Sequence, residues 1–150
     1  MIQTPKRLPM IAIGLGLMLF TMIVAGLQVT DEELAAASEI LATIPEDAKQ
    51  RKNPFAQDPE SVTRGKLIFS SQCTMCHGAD GRGTGDLVER LQLKIPDFTD
   101  SEMQAMWTDG ALFYVVTKGH GKMPGQEGRF DDKRNWDLVN CVRSFARDDS

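Results

Sequence analysis

Five consecutive residues, Cys73-Thr74-Met75-Cys76-His77, carry the chemistry of this chain. Two thiols with two residues between them reach the two vinyl groups of one haem and form thioethers, while the adjacent histidine is held beneath the iron. Cys-x-x-Cys-His is the attachment signature of c-type haem. Paired cysteines serve three other chemistries. A structural zinc needs four ligands, usually from a second pair, and the remaining candidates, His120 and Cys141, have no matching spacing. A thioredoxin-like redox pair expects a strand-helix context, and none precedes Cys73. A structural disulfide leaves His77 without a role. The reading is one haem c, covalent through Cys73 and Cys76, with His77 as an iron ligand.

The sixth iron position decides between a wire and a catalyst. In Gly119-His120-Gly121-Lys122-Met123-Pro124-Gly125, Met123 offers a soft thioether followed by proline, between glycines that let backbone approach a ring. Met123 is the expected second metal ligand. His120 is the alternative in the same loop, whereas Met103 and Met106 sit at helical spacing beside Trp107 and read as core packing. His/Met coordination raises the reduction potential and leaves no open position for a substrate, so the function is electron transfer and the protein itself makes no bonds. Were Met123 absent from the iron, the chain would instead be a haem enzyme or a small-molecule sensor. The run Gly78-Ala79-Asp80-Gly81-Arg82-Gly83-Thr84-Gly85 lacks the Gly-Lys-Ser/Thr ending of a phosphate loop and reads as a loop wrapping closely past the haem.

The elements that position these residues read as all-α. Asp58 suits an N-cap with Pro59 at the first helical position, and Val62, Gly65 and Phe69 then share one face. Gly65 inside a helix costs about 1 kcal/mol relative to alanine, which implies close approach by another element. Asp131 or Asp132 caps a last helix with an apolar stripe of Leu138, Cys141, Val142 and Phe145. Between them, Thr99 to Glu102 has the form of a capping box, and Thr108-Asp109-Gly110 opens a helical stretch closed by Gly119. There is no period-two strand run.

These features, in this order, resemble class I cytochrome c: N-terminal helix, Cys-x-x-Cys-His-Gly, glycine-rich loop, methionine loop, C-terminal helix. The resemblance covers about Asp58 to Arg147 and implies that family's fold around one covalent haem, with the haem supplying much of the core. It further implies that the Pro96 carbonyl accepts from the proximal imidazole, that Trp136 and Arg82 are candidate propionate partners, and that the surface near Cys73, Cys76 and Met123 faces redox partners. Cys141 stands where similar cytochromes often carry an aromatic residue, and as a buried free thiol it departs from that pattern. Thr108 to Tyr114, the Gly-Lys-Met-Pro loop and Trp136 to Phe145 are similar to mono-haem cytochrome subunits of bacterial respiratory complexes such as alternative complex III. Cytochromes that serve terminal oxidases, photosynthetic reaction centres or dehydrogenases share these features.

The rest of the chain concerns location. Met10 to Leu27 has no charged residue, and Leu8 to Leu27 supplies the roughly 20 residues that span a bilayer as helix. Lys6 and Arg7 precede it and Asp31, Glu32 and Glu33 follow, so the positive-inside bias leaves the N-terminus in the cytoplasm. Residues 1–27 read as a transmembrane anchor, with a signal peptide as the alternative. Residues 28–57 read as a stalk, in which Thr30 to Glu33 caps a short helix presenting Leu34, Ile40, Leu41 and Ile44, and Pro45 to Pro59 is a linker by composition. Residues 58–150 are the haem domain, placed in the periplasm on the outer face of the bacterial inner membrane. The whole chain has a net charge of −4, which argues against nucleic acid as a partner. The expected partners are redox proteins, as subunits of a respiratory complex that oxidises quinol or reduces oxygen.

Overall fold

The computed structural model describes residues 31–56 and 58–146. The proposed membrane segment, residues 8–27, lies outside them, and among the described residues no helix is long and apolar enough to cross a membrane.

Two helices form the frame. Helix α3, Pro59–Gln72, begins at Asp58, whose carboxylate accepts from the Glu60 amide at 2.9 Å. Helix α8, Asp132–Arg143, begins at Asp131, which accepts from the Arg134 amide. Their crossing is the most extensive contact between elements, and Gly65 is its centre: a Cβ there would stand 1.9 Å from the Asp137 carbonyl oxygen and 2.9 Å from the Cys141 Cβ. The sequence places Val62 on this face, but the buried seam is Ser61, Gly65 and Phe69. Ser61 replaces Val62 because its hydroxyl has a partner across the crossing, donating to the buried Asp137 carboxylate at 2.5 Å. Arg64 grips the same carboxylate through Nε at 2.9 Å and Nη2 at 3.0 Å. Burial works to raise the Asp137 pKa, but the bonds from Arg64 and Ser61 and the charges of Arg64 and Lys133 outweigh it and hold the group below the usual carboxylate range.

Helix α7, Asp109–Lys118, lies against α8 on another side. Thr108 caps it, accepting from the Ala111 amide, and Gly119 ends it at φ 78°. Enclosed by neighbours, α8 buries every residue from Asn135 to Val142, not only an apolar stripe. Two clusters result. One joins Phe69, Val116, Leu138 and Cys141, with Ile68, Cys73, Phe98, Phe130 and Phe145 half-buried against it. The other joins Phe113, Trp136 and Val139, with Phe55 and Leu112 beside it.

Shorter elements complete the domain. Helix α1 spans Asp31–Thr43, with Ala37 and Ile44 buried. Helix α2 is Glu46–Lys49, α4 is Thr74–His77, α5 is Leu87–Leu91 and α6 is Ser101–Met106. The cap of α6 is Asp100, accepting from the Glu102 and Met103 amides. Thr99 instead donates to Asp97 through its amide and hydroxyl, each at 2.7 Å, so in place of the expected capping box α6 has a simple N-cap one residue later. The all-α reading gains a small antiparallel hairpin, β1 Gly119–His120 with β2 Met123–Pro124.

The stretch read as a linker is docked on the domain. Thr108 donates to the Lys49 carbonyl at 2.7 Å, Asn53 donates to Asp109 and Asn140, and Asn140 donates to the Phe55 carbonyl. Its polar composition signalled a loop, but those polar groups have partners more than fifty residues away in sequence.

The crossing makes a sharp prediction. If the helices met loosely, Gly65→Ala would stabilise the domain by about 1 kcal/mol through helix propensity. The 1.9 Å approach predicts the opposite sign, a loss of roughly 3 kcal/mol from forced separation, read by denaturant unfolding.

Candidate functional site

Helix α3 ends where the site begins. The Cys73 amide donates to the Phe69 carbonyl at 2.9 Å, so Cys73 closes α3 and, in the same position, opens α4. The His77 amide donates back to the Cys73 carbonyl at 2.9 Å, and the Cys76 amide does so at 3.2 Å. One helical turn thus gathers both thiols and the imidazole, and the frame helix fixes where that turn points.

The glycine-rich run folds back over this turn. The Gly83 amide donates to the His77 carbonyl at 2.9 Å and the Gly85 amide to the Cys76 carbonyl at 3.2 Å. A Cβ at Gly85 would lie 2.4 Å from the Met75 carbonyl oxygen, and one at Gly83 would lie 2.5 Å from the Ile95 carbonyl oxygen. Backbone lies directly on backbone here, and the loop packs on the attachment turn and on the Ile95 segment.

His77 sits among aromatic rings. It stacks on Phe98 at 4.8 Å with 17° between planes, and Phe69 lies 6.2 Å away. Phe145 packs on Phe69 at 5.0 Å. Burial lowers the His77 pKa to about 4, so at neutral pH the imidazole is uncharged, the form that ligates metals. Its Nδ1 is buried with no hydrogen-bond partner among the described residues. Pro96 is half-buried on the segment between Ile95 and Phe98 that Gly83 and Gly81 hold, but the bond expected from Nδ1 to its carbonyl is not formed in this structure. Burial, with the neighbouring Cys76, pushes the Cys73 thiol up to about 11.

The methionine loop is the hairpin. Met123 is half-buried opposite an exposed His120. Gly125 seats the hairpin on α7, since a Cβ there would lie 2.4 Å from the Thr117 carbonyl oxygen. Lys122 donates to the Leu91 carbonyl at 2.7 Å, tying the hairpin to the end of α5, whose Val88 amide is bonded to Gly85. Contacts therefore run from Met123 through α5 to the turn that holds Cys76. Trp136 belongs to the other cluster, 4.2 Å from Phe113 and beneath the Arg51 guanidinium. Arg82 pairs with Asp80 at 3.5 Å.

The residues fit a covalent haem. Two thiols and a neutral imidazole share one turn, and the adjoining cluster leaves Ile68, Phe98, Phe130 and Phe145 only half-covered. A porphyrin is a large apolar plate with polar edges, matched to such a face. A family model described as cytochrome C oxidase, cbb3-type, subunit III, matches residues 60–140. The chain belongs to this family. It is 31% identical over 90 residues to the cbb3-type cytochrome c oxidase subunit FixPc of Rhizobium leguminosarum bv. viciae, a match covering 59% of this chain and 29% of that protein. It is 30% identical over 83 residues to cytochrome c6 of Bumilleriopsis filiformis, covering 55% of this chain and 90% of the relative. Among solved structures, the KustC0563 c-type cytochrome is similar at 30% identity and TM-score 0.50, covering 55% of this chain and 98% of that one. The chain spans less than a third of the length of the cbb3-type subunits it matches. The domain is a helical, mono-haem class I cytochrome c-like domain, and its cofactor is covalently bound haem c.

Cys141 lies outside this set of donors. It is wholly buried at the crossing, and burial pushes its thiol up to about 12. Were Cys73 and Cys76 both taken up in thioethers, it would be the one remaining thiol of the chain's three. Because the raised pKa keeps it protonated at pH 7 to 9, alkylation of the native holoprotein is expected to be slow throughout that range and to reach one label per chain only after unfolding. Rapid native labelling, counted by mass, would show that the crossing is open.

Proposed function

We propose that this chain is an electron relay whose haem is attached through Cys73 and Cys76, ligated by His77 and Met123, and carried on the outer side of a bacterial membrane by an anchor at residues 8–27. Electron transfer is the function of the family's haem domain. The observation that carries the residue assignment is the single turn bearing Cys73, Cys76 and a neutral, half-buried His77, wrapped by the glycine-rich loop and linked through α5 to the methionine hairpin. The bound haem supplies a one-electron centre whose potential its ligands and surroundings set. The protein's part is positional. The α3–α4 junction fixes the proximal side, Gly83 and Gly85 hold backbone over it, and Gly125 and Lys122 seat Met123 for the distal side. Pro96 is proposed as the acceptor for His77 Nδ1, which fixes the imidazole in the tautomer that presents Nε2 to iron.

If His77 and Met123 both hold the iron, the chain would leave no site for a substrate, and its part would be electron transfer and not catalysis. Relatives named as cbb3-type oxidase subunits favour an oxygen-reducing respiratory complex over a quinol-oxidising one as its setting. Its partners are then neighbouring redox subunits. The exposed Met75 and Leu91 near the attachment turn suit such a contact.

Carbon monoxide tests the ligand set. The reduced wild-type protein is expected to show no immediate spectral change when the gas is added. Met123→Leu removes the distal thioether, and is expected to bind the gas at once and to have a lower reduction potential. Immediate binding by the wild type would favour a haem enzyme or sensor.

A further inference from the structure

The segment leading into the haem domain is fastened to it at one place after another. Backbone contact comes first: a Cβ at Gly110, in the first turn of α7, would lie 2.2 Å from the Ala48 carbonyl oxygen and 2.8 Å from those of Lys49 and Arg51. Arg51 pairs with Asp132 at 2.6 Å while its guanidinium lies 4.2 Å over the Phe113 ring. Asn53 enters a polar network, donating to Asn140 Oδ1 at 2.8 Å and to Asp109 Oδ2 at 3.1 Å. Asp109 also receives Arg143 Nε at 2.8 Å, and Arg143 donates to Gln104, whose amide bonds the Phe98 carbonyl at 2.7 Å. Phe98 is the ring that stacks on His77. Phe55 covers the Trp136 cluster.

We infer that residues 46–56 are a brace that holds the haem domain at a fixed distance and attitude beside its anchor, so that it works as a stationary relay and not as a shuttle on a long tether. The inference rests on the anchor reading given above. As a free linker, residues 28–57 would reach about 100 Å when extended. With the brace docked, the tether is chiefly α1, whose 13 residues span only about 20 Å. A fixed electron donor or acceptor must therefore come to the domain within that radius, as a neighbouring subunit does.

The test uses the full holoprotein in its membrane. Lys49, Arg51 and Lys52 place three tryptic positions inside the brace. Gly110→Ala drives a methyl group into the brace backbone, and Asn53→Ala removes the bonds to Asp109 and Asn140 without adding bulk, so one variant stands if the other fails to fold. Wild type is expected to be cut at these positions at least about tenfold more slowly than either variant, since cleavage must wait for local opening. Spin labels at the exposed positions 39 and 102, introduced by Glu39→Cys and Glu102→Cys, are expected to show one narrow separation in the otherwise wild-type chain and a broad spread in the variants. Equal cleavage rates, or a broad wild-type distribution, would overturn the brace. Failure of the anchor reading shows separately, as chain released from membranes by a salt wash, and it overturns the tether argument whatever the protease shows.

Discussion

Helices α3 and α8 touch backbone to backbone at Gly65, and nearly everything else in the domain is placed by that contact. The Asp137 carbonyl occupies the space a side chain would need, and the Asp137 carboxylate on the same residue is taken up by Ser61 and Arg64 of the facing helix. Steric exclusion and charge thus act at one residue, Asp137, to fix both separation and register. A charged group so deeply buried is tolerated only because its oxygens are satisfied, and this satisfaction exists in one register alone. With α3 set, its C-cap Cys73 is set, and so is the turn that follows it.

The attachment turn is accordingly an extension of the frame. Phe69 at the crossing and Phe98 on the returning chain flank His77, while Phe145 fills the space beside the Gly81 backbone. The protein cluster on this side has four buried members and more that are half-buried, which is the surface of a scaffold completed by its prosthetic group. Covalent attachment suits such a core, because the group that fills it then remains with the chain through folding and opening. The second cluster, around Trp136, is covered in part by Arg51 and Phe55 of the preceding segment.

Much of this was legible in the sequence where the signal is local. Cys73 to His77 announce their chemistry within five residues, and Asp58, Thr108 and Asp131 serve as helix caps because a cap is a two- or three-residue interaction. Gly65 was readable as a close approach because a mid-helix glycine has a cost that something must offset. What stayed hidden is non-local. Asn53 meets Asn140 across 87 positions and Arg51 meets Asp132 across 81, so a stretch that looks like solvated linker is a docked part of the domain. The hairpin around Met123 pairs only two residues on each strand, too few to leave a period. Burial all around α8 follows from having neighbours on several sides, which its polar residues Asn135, Asp137 and Asn140 conceal until their partners are seen.

The central claim is that one haem is covalently held by Cys73 and Cys76. Intact-mass measurement of the acid-denatured holoprotein, beside Cys73→Ala and Cys76→Ala, addresses it directly. The account predicts a wild-type mass equal to the chain present plus one haem that solvent extraction cannot remove, with each single variant retaining at most one thioether and the double variant none. Haem that extracts freely from the wild type, or a chain of unmodified mass carrying two alkylatable thiols at these positions, would contradict it.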